Sequence, residues 1–156
     1  MVAEGKKAPN IKLPDADGDI VDLSKLKGTP VVVYFYPKDD TSGCTAEAID
    51  FTAHKEAFDK AGAVVVGISP DSSKSHQKFA EKHALSIRLL ADTEKKAAEA
   101  YGVWVEKSMY GKKYMGVERA TFLIDKSGKI AKLWRKVKVP GHVAEVLAAL
   151  NEMTPE

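Results

Sequence analysis

Val31-Val32-Val33-Tyr34-Phe35-Tyr36-Pro37-Lys38-Asp39-Asp40-Thr41-Ser42-Gly43-Cys44-Thr45-Ala46-Glu47-Ala48-Ile49 is the stretch on which the fold turns. Its first six residues are all β-branched or aromatic. A run of that kind suits a strand buried on both faces of a sheet. The polar PKDDTSG segment ends the run. A helical pattern then follows from Thr45 to Ala61, with Ile49, Ala53 and Ala57 on one stripe and Gly62 as the stop. A buried strand feeding a helix through a short loop is the first half of a βαβ unit. The loop delivers Cys44, the single cysteine of the chain.

The pattern extends outward in both directions. Upstream, Ile11-Lys12-Leu13 and Ile20-Val21-Asp22-Leu23 flank DADGD and read as a hairpin. Downstream, Ala63 to Ile68 is a second buried strand. Asp71 can cap a helix from Ser72 to His83, and Ile87 to Leu90 is a third strand, followed by a helix ending near Gly102. Ala120 to Asp125, a KSGK turn and Ile130 to Arg135 read as a hairpin, and Pro140 can start a last helix through Leu150. Strand-helix-strand units imply right-handed parallel crossovers. The late hairpin adds an antiparallel edge. The class is α/β: a thioredoxin-like fold with a central mixed sheet flanked by helices and an N-terminal β-hairpin, in one domain over residues 1–156.

Bulk properties remove several function classes. The 156 residues are 44% hydrophobic and 29% charged, so neither disorder nor a fibrous repeat is indicated. A net charge of +2 is too small to argue for nucleic acid or an anionic membrane. The segment MVAEGKKAPNIKLPD has no apolar signal core. No apolar run approaches the roughly 20 residues needed to span a bilayer. One cysteine excludes an intrachain disulfide, and the expected setting is a reducing cytoplasm. DADGD reads as a turn, because its glycine comes too early for a calcium loop. His54, His76, His83 and His142 show no zinc spacing, and His76 and His83 read as one solvated helix face. Without GxGxxG, a Walker loop or CxxC, no nucleotide cofactor, metal or dithiol chemistry is expected. WRKVK and GKK read as a solvated edge and a loop.

The chemistry then rests on Cys44. Thr41 or Ser42 is a suitable N-cap, which puts the thiol in a first helical turn, where free N–H groups and the helix dipole favour an anion. Such positions lower a thiol pKa, and the thiolate is the nucleophile. A thiol with a pKa near 8.5 is about 3% ionised at pH 7, and one near 6 about 90%, a gain of roughly thirty-fold. A fast nucleophilic displacement needs more: donors that stabilise the charge on the leaving atom as its bond breaks. Thr41 offers a hydroxyl, the Gly43–Cys44 turn offers amides, and Arg119, just before a strand, offers a cation. Each residue also has a plainer reading. A lone cysteine is commonly a small buried hydrophobe, Thr41 a helix cap, and Arg119 a surface ion-pair partner.

The stretch Pro37-Lys38-Asp39-Asp40-Thr41-Ser42-Gly43-Cys44 resembles the P-x-x-x-T-x-x-C signature of peroxiredoxins. FYPKDDTSGCTAEAIDF, GISPDSSKSHQKF, MYGKKYMGVERATFLIDKSGKI and WRKVKVPGH are together similar to the bacterioferritin comigratory protein, or peroxiredoxin Q, branch. The resemblance implies a thiol-dependent peroxidase with Cys44 as the peroxidatic cysteine. Thr41 then holds thiolate and peroxide, Pro37 shields the site, and Arg119 supports both reactants. Glu47 matches an acidic position common in this branch. One departure matters. Many relatives carry a resolving cysteine where this chain has Ile49, others near Ala80, and this chain has neither. The implied cycle runs through a Cys44 sulfenic acid, restored by an outside thiol such as thioredoxin or glutathione with glutaredoxin. Substrates would be hydrogen peroxide and small organic hydroperoxides. The branch is often monomeric, with dimers in related ones. Two rivals stand beside it: a redox-responsive binding protein with little turnover, and a thioredoxin-fold module with an inert buried cysteine.

Overall fold

The structure is a computed structural model, and it describes residues 2–153. The apolar run forms β3 (Val31–Phe35), buried at every position. It pairs in parallel with β4 (Val64–Ser69), which pairs in parallel with β5 (Arg88–Ala91). On its other side β3 pairs antiparallel with β8 (Ala120–Ile124), and β8 with β9 (Ile130–Trp134). The mixed five-stranded sheet therefore has the order β5-β4-β3-β8-β9. The expected N-terminal hairpin is also present, as β1 (Lys12–Pro14) and β2 (Ile20–Asp22). The DADGD turn between them is held by the Asp15 carboxylate, which accepts from the Asp17 and Asp19 amides.

Side chains of β3 alternate across the sheet, as strand geometry requires. Val31, Val33 and Phe35 join Leu90, Tyr101 and Phe122 on one face. Val32 and Tyr34 face the opposite layer, with Cys44, Phe51, Phe58, Phe79 and Val146. Three helices contribute to that second layer: α1 (Ser42–Ala53), α2 (Lys55–Lys60) and α3 (Ser73–His83). The layer is completed by α5 (His142–Met153), while α4 (Lys96–Ala100) adds Ala97 and Ala98 to the first face. The Tyr34 ring lies over its parallel partner Gly67, where a Cβ would come within 2.6 Å of the ring. Only glycine permits that approach. The ring also stacks on Phe51 at 4.5 Å, which locks α1 onto the strand that feeds it.

Four details differ from expectation. The helix read as Thr45 to Ala61 starts earlier and breaks at His54, whose backbone (φ −98°, ψ 5°) leaves helical geometry. Its buried stripe is Cys44, Glu47, Ala48 and Phe51 instead of Ile49, Ala53 and Ala57, and Ile49 is exposed. The α3 cap is Ser72, which accepts from the Ser75 amide, while Asp71 turns toward Asp39. Finally, residues 104–117 form a hairpin that the sequence pattern does not predict: β6 (Trp104–Met109) paired with β7 (Lys112–Val117). Among the described residues no helix is long and apolar enough to cross a membrane.

Candidate active site

Pro37 opens a short loop between β3 and α1, and Cys44 is the third residue of α1, in the helix's first turn. The cysteine is almost wholly enclosed. One guanidinium nitrogen of Arg119, Nη2, lies 3.3 Å from Cys44 Sγ, and the other, Nη1, donates to Glu47 Oε1 at 2.7 Å. Arg119 immediately precedes β8, the antiparallel neighbour of β3, so the sheet itself carries the guanidinium to the loop. Gly43 makes room for it, since a Cβ there would lie 3.1 Å from Nη2. Gly43 thus clears the guanidinium's path, a role distinct from lending an amide.

Glu47 sits one turn after Cys44, on the buried stripe of α1. Its Oε2 has no hydrogen-bond partner. Burial pushes the Glu47 carboxyl up to about 7 although Arg119 opposes the shift. Burial alone would lower Arg119, but the charges of Glu47 and Cys44 outweigh it and hold Arg119 above its ordinary value. The guanidinium is therefore a fixed cation between an enclosed thiol and an incompletely paired carboxyl.

Thr41 occupies the N-cap position, with extended backbone and its carbonyl accepting from the Thr45 amide. Its side chain does not cap the helix. Oγ1 instead donates to the Lys38 carbonyl at 2.9 Å, closing the loop on itself. The hydroxyl proton is thereby committed and the oxygen lone pairs remain open.

The loop is anchored by residues that carry no recognisable signal in the sequence. Asp39 is a buried hub. Its carboxylate accepts from Tyr36 Oη at 2.6 Å and Ser75 Oγ at 2.7 Å, and lies 2.8 Å from His76 Nδ1. His76 Nε2 faces the Leu90 carbonyl at 2.8 Å, so that nitrogen carries a proton. The expectation of a solvated His76–His83 face is wrong for His76, which is fully buried. A buried histidine needs partners, and these come from residues distant in sequence. Asp71 takes the Asp39 amide at 2.8 Å. Asp40, in the left-handed region at φ 62°, bonds Lys82 and His83. The loop is thus tied to α3 along its length.

The unexpected hairpin brings a second cation. It is Lys107, half-buried on β6. Burial lowers the Lys107 ammonium below the usual lysine range; Arg119 adds to this, and Cys44 and Glu118 oppose it.

Known proteins share this fold and much of this sequence. A profile described as the AhpC/TSA family matches residues 4–133. The chain is 54% identical over 150 residues to peroxiredoxin Bcp of Bacillus subtilis, covering 96% of each chain. A solved Xanthomonas campestris peroxiredoxin Q is 45% identical, with a TM-score of 0.87 over 91% of this chain and 90% of that one. A second Xanthomonas structure, of the bacterioferritin comigratory protein, was described for its alkyl peroxide reduction activity. It superimposes with a TM-score of 0.91 at 41% identity, covering 97% of this chain and 99% of that one.

Proposed function

The chain belongs to the AhpC/TSA family as a peroxiredoxin, and from that premise we propose a one-cysteine peroxidase cycle. In it Cys44 is the nucleophile, Arg119 the fixed cation, Thr41 the hydroxyl that receives the peroxide, and Glu47 the acid that positions Arg119. The overall activity is thiol-dependent reduction of hydroperoxides. The Cys44 thiolate attacks the terminal oxygen of the hydroperoxide. The S–O bond forms, the O–O bond breaks, and the leaving alkoxide or hydroxide takes a proton to become alcohol or water. Cys44 is left as a sulfenic acid.

The observation that carries this reading is the two-armed grip of Arg119 on Cys44 Sγ and Glu47. A cation fixed there stabilises the thiolate and the charge that develops on the departing oxygen. Glu47 is a positioning residue, since it reaches the sulfur only through Arg119. Thr41, with its proton given to Lys38, accepts the O–H of the incoming hydroperoxide. Pro37 begins the loop wall, and Gly43 and Cys44 contribute first-turn amides. The single cysteine leaves no internal resolving thiol. The sulfenic acid is therefore returned to thiol by an external thiol, a thioredoxin or glutathione with glutaredoxin, acting on a monomer in the cytoplasm.

The test is a rapid-quench mass measurement. The fully reduced protein, freed of reductant, receives a small excess of hydrogen peroxide and is quenched in acid within seconds. Gain of one oxygen, trapped by dimedone on Cys44 and reversed by added thiol, is the expected result. A thiol unchanged after minutes would overturn the cycle in favour of a thioredoxin-fold module with an inert cysteine.

A further inference from the structure

β3 runs from Val31 toward the loop that carries Cys44, and β8 runs antiparallel beside it. Val31 therefore pairs with Ile124 at the end of the sheet away from the thiol. A cavity of about 350 Å³ opens there. Val31 and Ile124, both buried, form part of its wall. Leu23 and Leu26, on a short 3₁₀ helix, and Pro9 supply more of its apolar lining. That size and that lining suit a small organic ligand.

The chain segments 5–8, 24–29 and 125–130 frame the cavity, and backbone hydrogen bonds tie them together. The Ala8 amide donates to the Gly128 carbonyl, the Ile130 amide to the Lys6 carbonyl and the Gly28 amide to the Lys126 carbonyl, each at 2.9 Å. These segments bring six exposed lysines to one end of the molecule: Lys6, Lys7, Lys25, Lys27, Lys126 and Lys129. Among the described residues the lysine ion pairs lie elsewhere, at Lys55, Lys82 and Lys96. Lys7 and Lys27 line the cavity itself, and a Cβ at Gly128 would lie 3.6 Å from Lys27 Cε. The carboxylates close by are committed locally. Asp125 accepts from the Ser127 amide, the Ser127 hydroxyl and the Lys129 amide, and Asp22 from Ser24 and Asn10. An apolar cavity beneath an unpaired cluster of cations is complementary to a molecule with an apolar tail and an anionic head.

We propose that this cavity binds a medium-chain aliphatic carboxylate, with its tail against Leu23, Leu26, Val31 and Ile124 and its head at Lys7 and Lys27. The occupant is the free acid anion. The cavity takes one short tail drawn wholly out of water, which a lipid fixed in a bilayer does not offer. The site stands at the far end of β3 from the Cys44 loop, so it is independent of the peroxidase cycle.

The experiment is calorimetric titration of the reduced full-length protein with butyrate, hexanoate and octanoate, and with octylammonium as the cationic counterpart. Affinity should rise about ten- to fifteenfold for each added pair of methylenes, the gain expected when both leave water. Octylammonium should bind about tenfold more weakly than octanoate, and the double variant Lys7→Glu, Lys27→Glu should lose about tenfold for octanoate. The rate of Cys44 oxidation should not change in that variant. Methyl shifts induced by octanoate should centre on Leu23, Leu26, Val31 and Ile124. No binding of octanoate, equal binding of octanoate and octylammonium, an unchanged affinity in the double variant, or shifts centred elsewhere would each overturn the inference. Binding to phosphatidylglycerol vesicles without binding of free octanoate would overturn it in favour of a membrane surface.

Discussion

Two buried hydrogen-bonded pairs flank the active-site loop, Asp39–His76 on one side and Glu47–Arg119 on the other. They are built in opposite ways. The first pair is fully satisfied: Tyr36, Ser75 and His76 surround the Asp39 carboxylate, and the Leu90 carbonyl takes His76 Nε2. The second pair is left incomplete, with Glu47 Oε2 unpartnered and one arm of Arg119 given to the thiol. A satisfied buried network rigidifies what it touches. An unsatisfied buried polar atom is uncommon and marks a site with a role other than stability. In the proposed cycle the first pair fixes the loop, and the second acts on sulfur.

The largest effect belongs to the sulfur itself. Cys44→Ser keeps the size of the side chain and should abolish peroxidase turnover in a coupled thiol assay, with the far-UV spectrum unchanged. Thr41→Val keeps the shape and removes the hydroxyl. It should lower the rate of Cys44 oxidation by about 10²-fold, the usual cost of one transition-state hydrogen bond, while the melting temperature moves little. Near-parental oxidation in stopped flow would remove Thr41 from the chemistry.

The satisfied pair should respond in stability. His76→Gln removes one of the three side-chain partners of the buried Asp39 carboxyl and the link to the Leu90 carbonyl. Losing one partner of a buried polar group costs about 1–3 kcal/mol, or roughly 2–12 °C in melting temperature for a chain of this size. Calorimetry checks it. A loss under about 1 kcal/mol would mean that the hub contributes little to the fold.

The smallest effect is a pH trend. Folding raises the Glu47 carboxyl from its ordinary 4.5 to about 7, so the folded state binds that proton more tightly. The stability from Glu47 is fully present below about pH 4.5 and is lost as pH rises through about 7. Glu47→Gln lacks this loss. Its melting temperature relative to the parent should climb between pH 4.5 and 7, and a flat difference would contradict the incomplete pairing.

The two pairs are also unequally legible in the sequence. Cys44 and Arg119 announce themselves, the first by standing where an apolar run meets a helical pattern, the second by preceding an apolar strand. The central strands β3 and β4 follow from β-branched runs that have few alternatives. His76 is hidden because burial of an imidazole depends on Asp39 and Leu90, which no local pattern connects to it. The α1 stripe departs from its apolar periodicity for a related reason: Glu47, a charged residue, holds a core position that periodicity assigns to apolar side chains. The β6–β7 hairpin is masked because Glu106, Ser108, Lys112 and Lys113 interrupt its apolar pattern. Its turn, with Tyr110 and Gly111 both at positive φ, uses Tyr-Gly in place of the more recognisable Asn-Gly.

The division of labour is tested most directly by measuring Arg119→Ala and His76→Gln side by side, with the second-order rate constant for Cys44 oxidation by hydrogen peroxide and the unfolding free energy taken on the same samples. Arg119→Ala should lose about 10²- to 10³-fold in rate. His76→Gln, while folded, should stay within about tenfold of the parent rate and lose several-fold more stability than a surface substitution. Equal proportional losses of rate and stability in both variants would contradict the separation of a positioning pair from a reacting one.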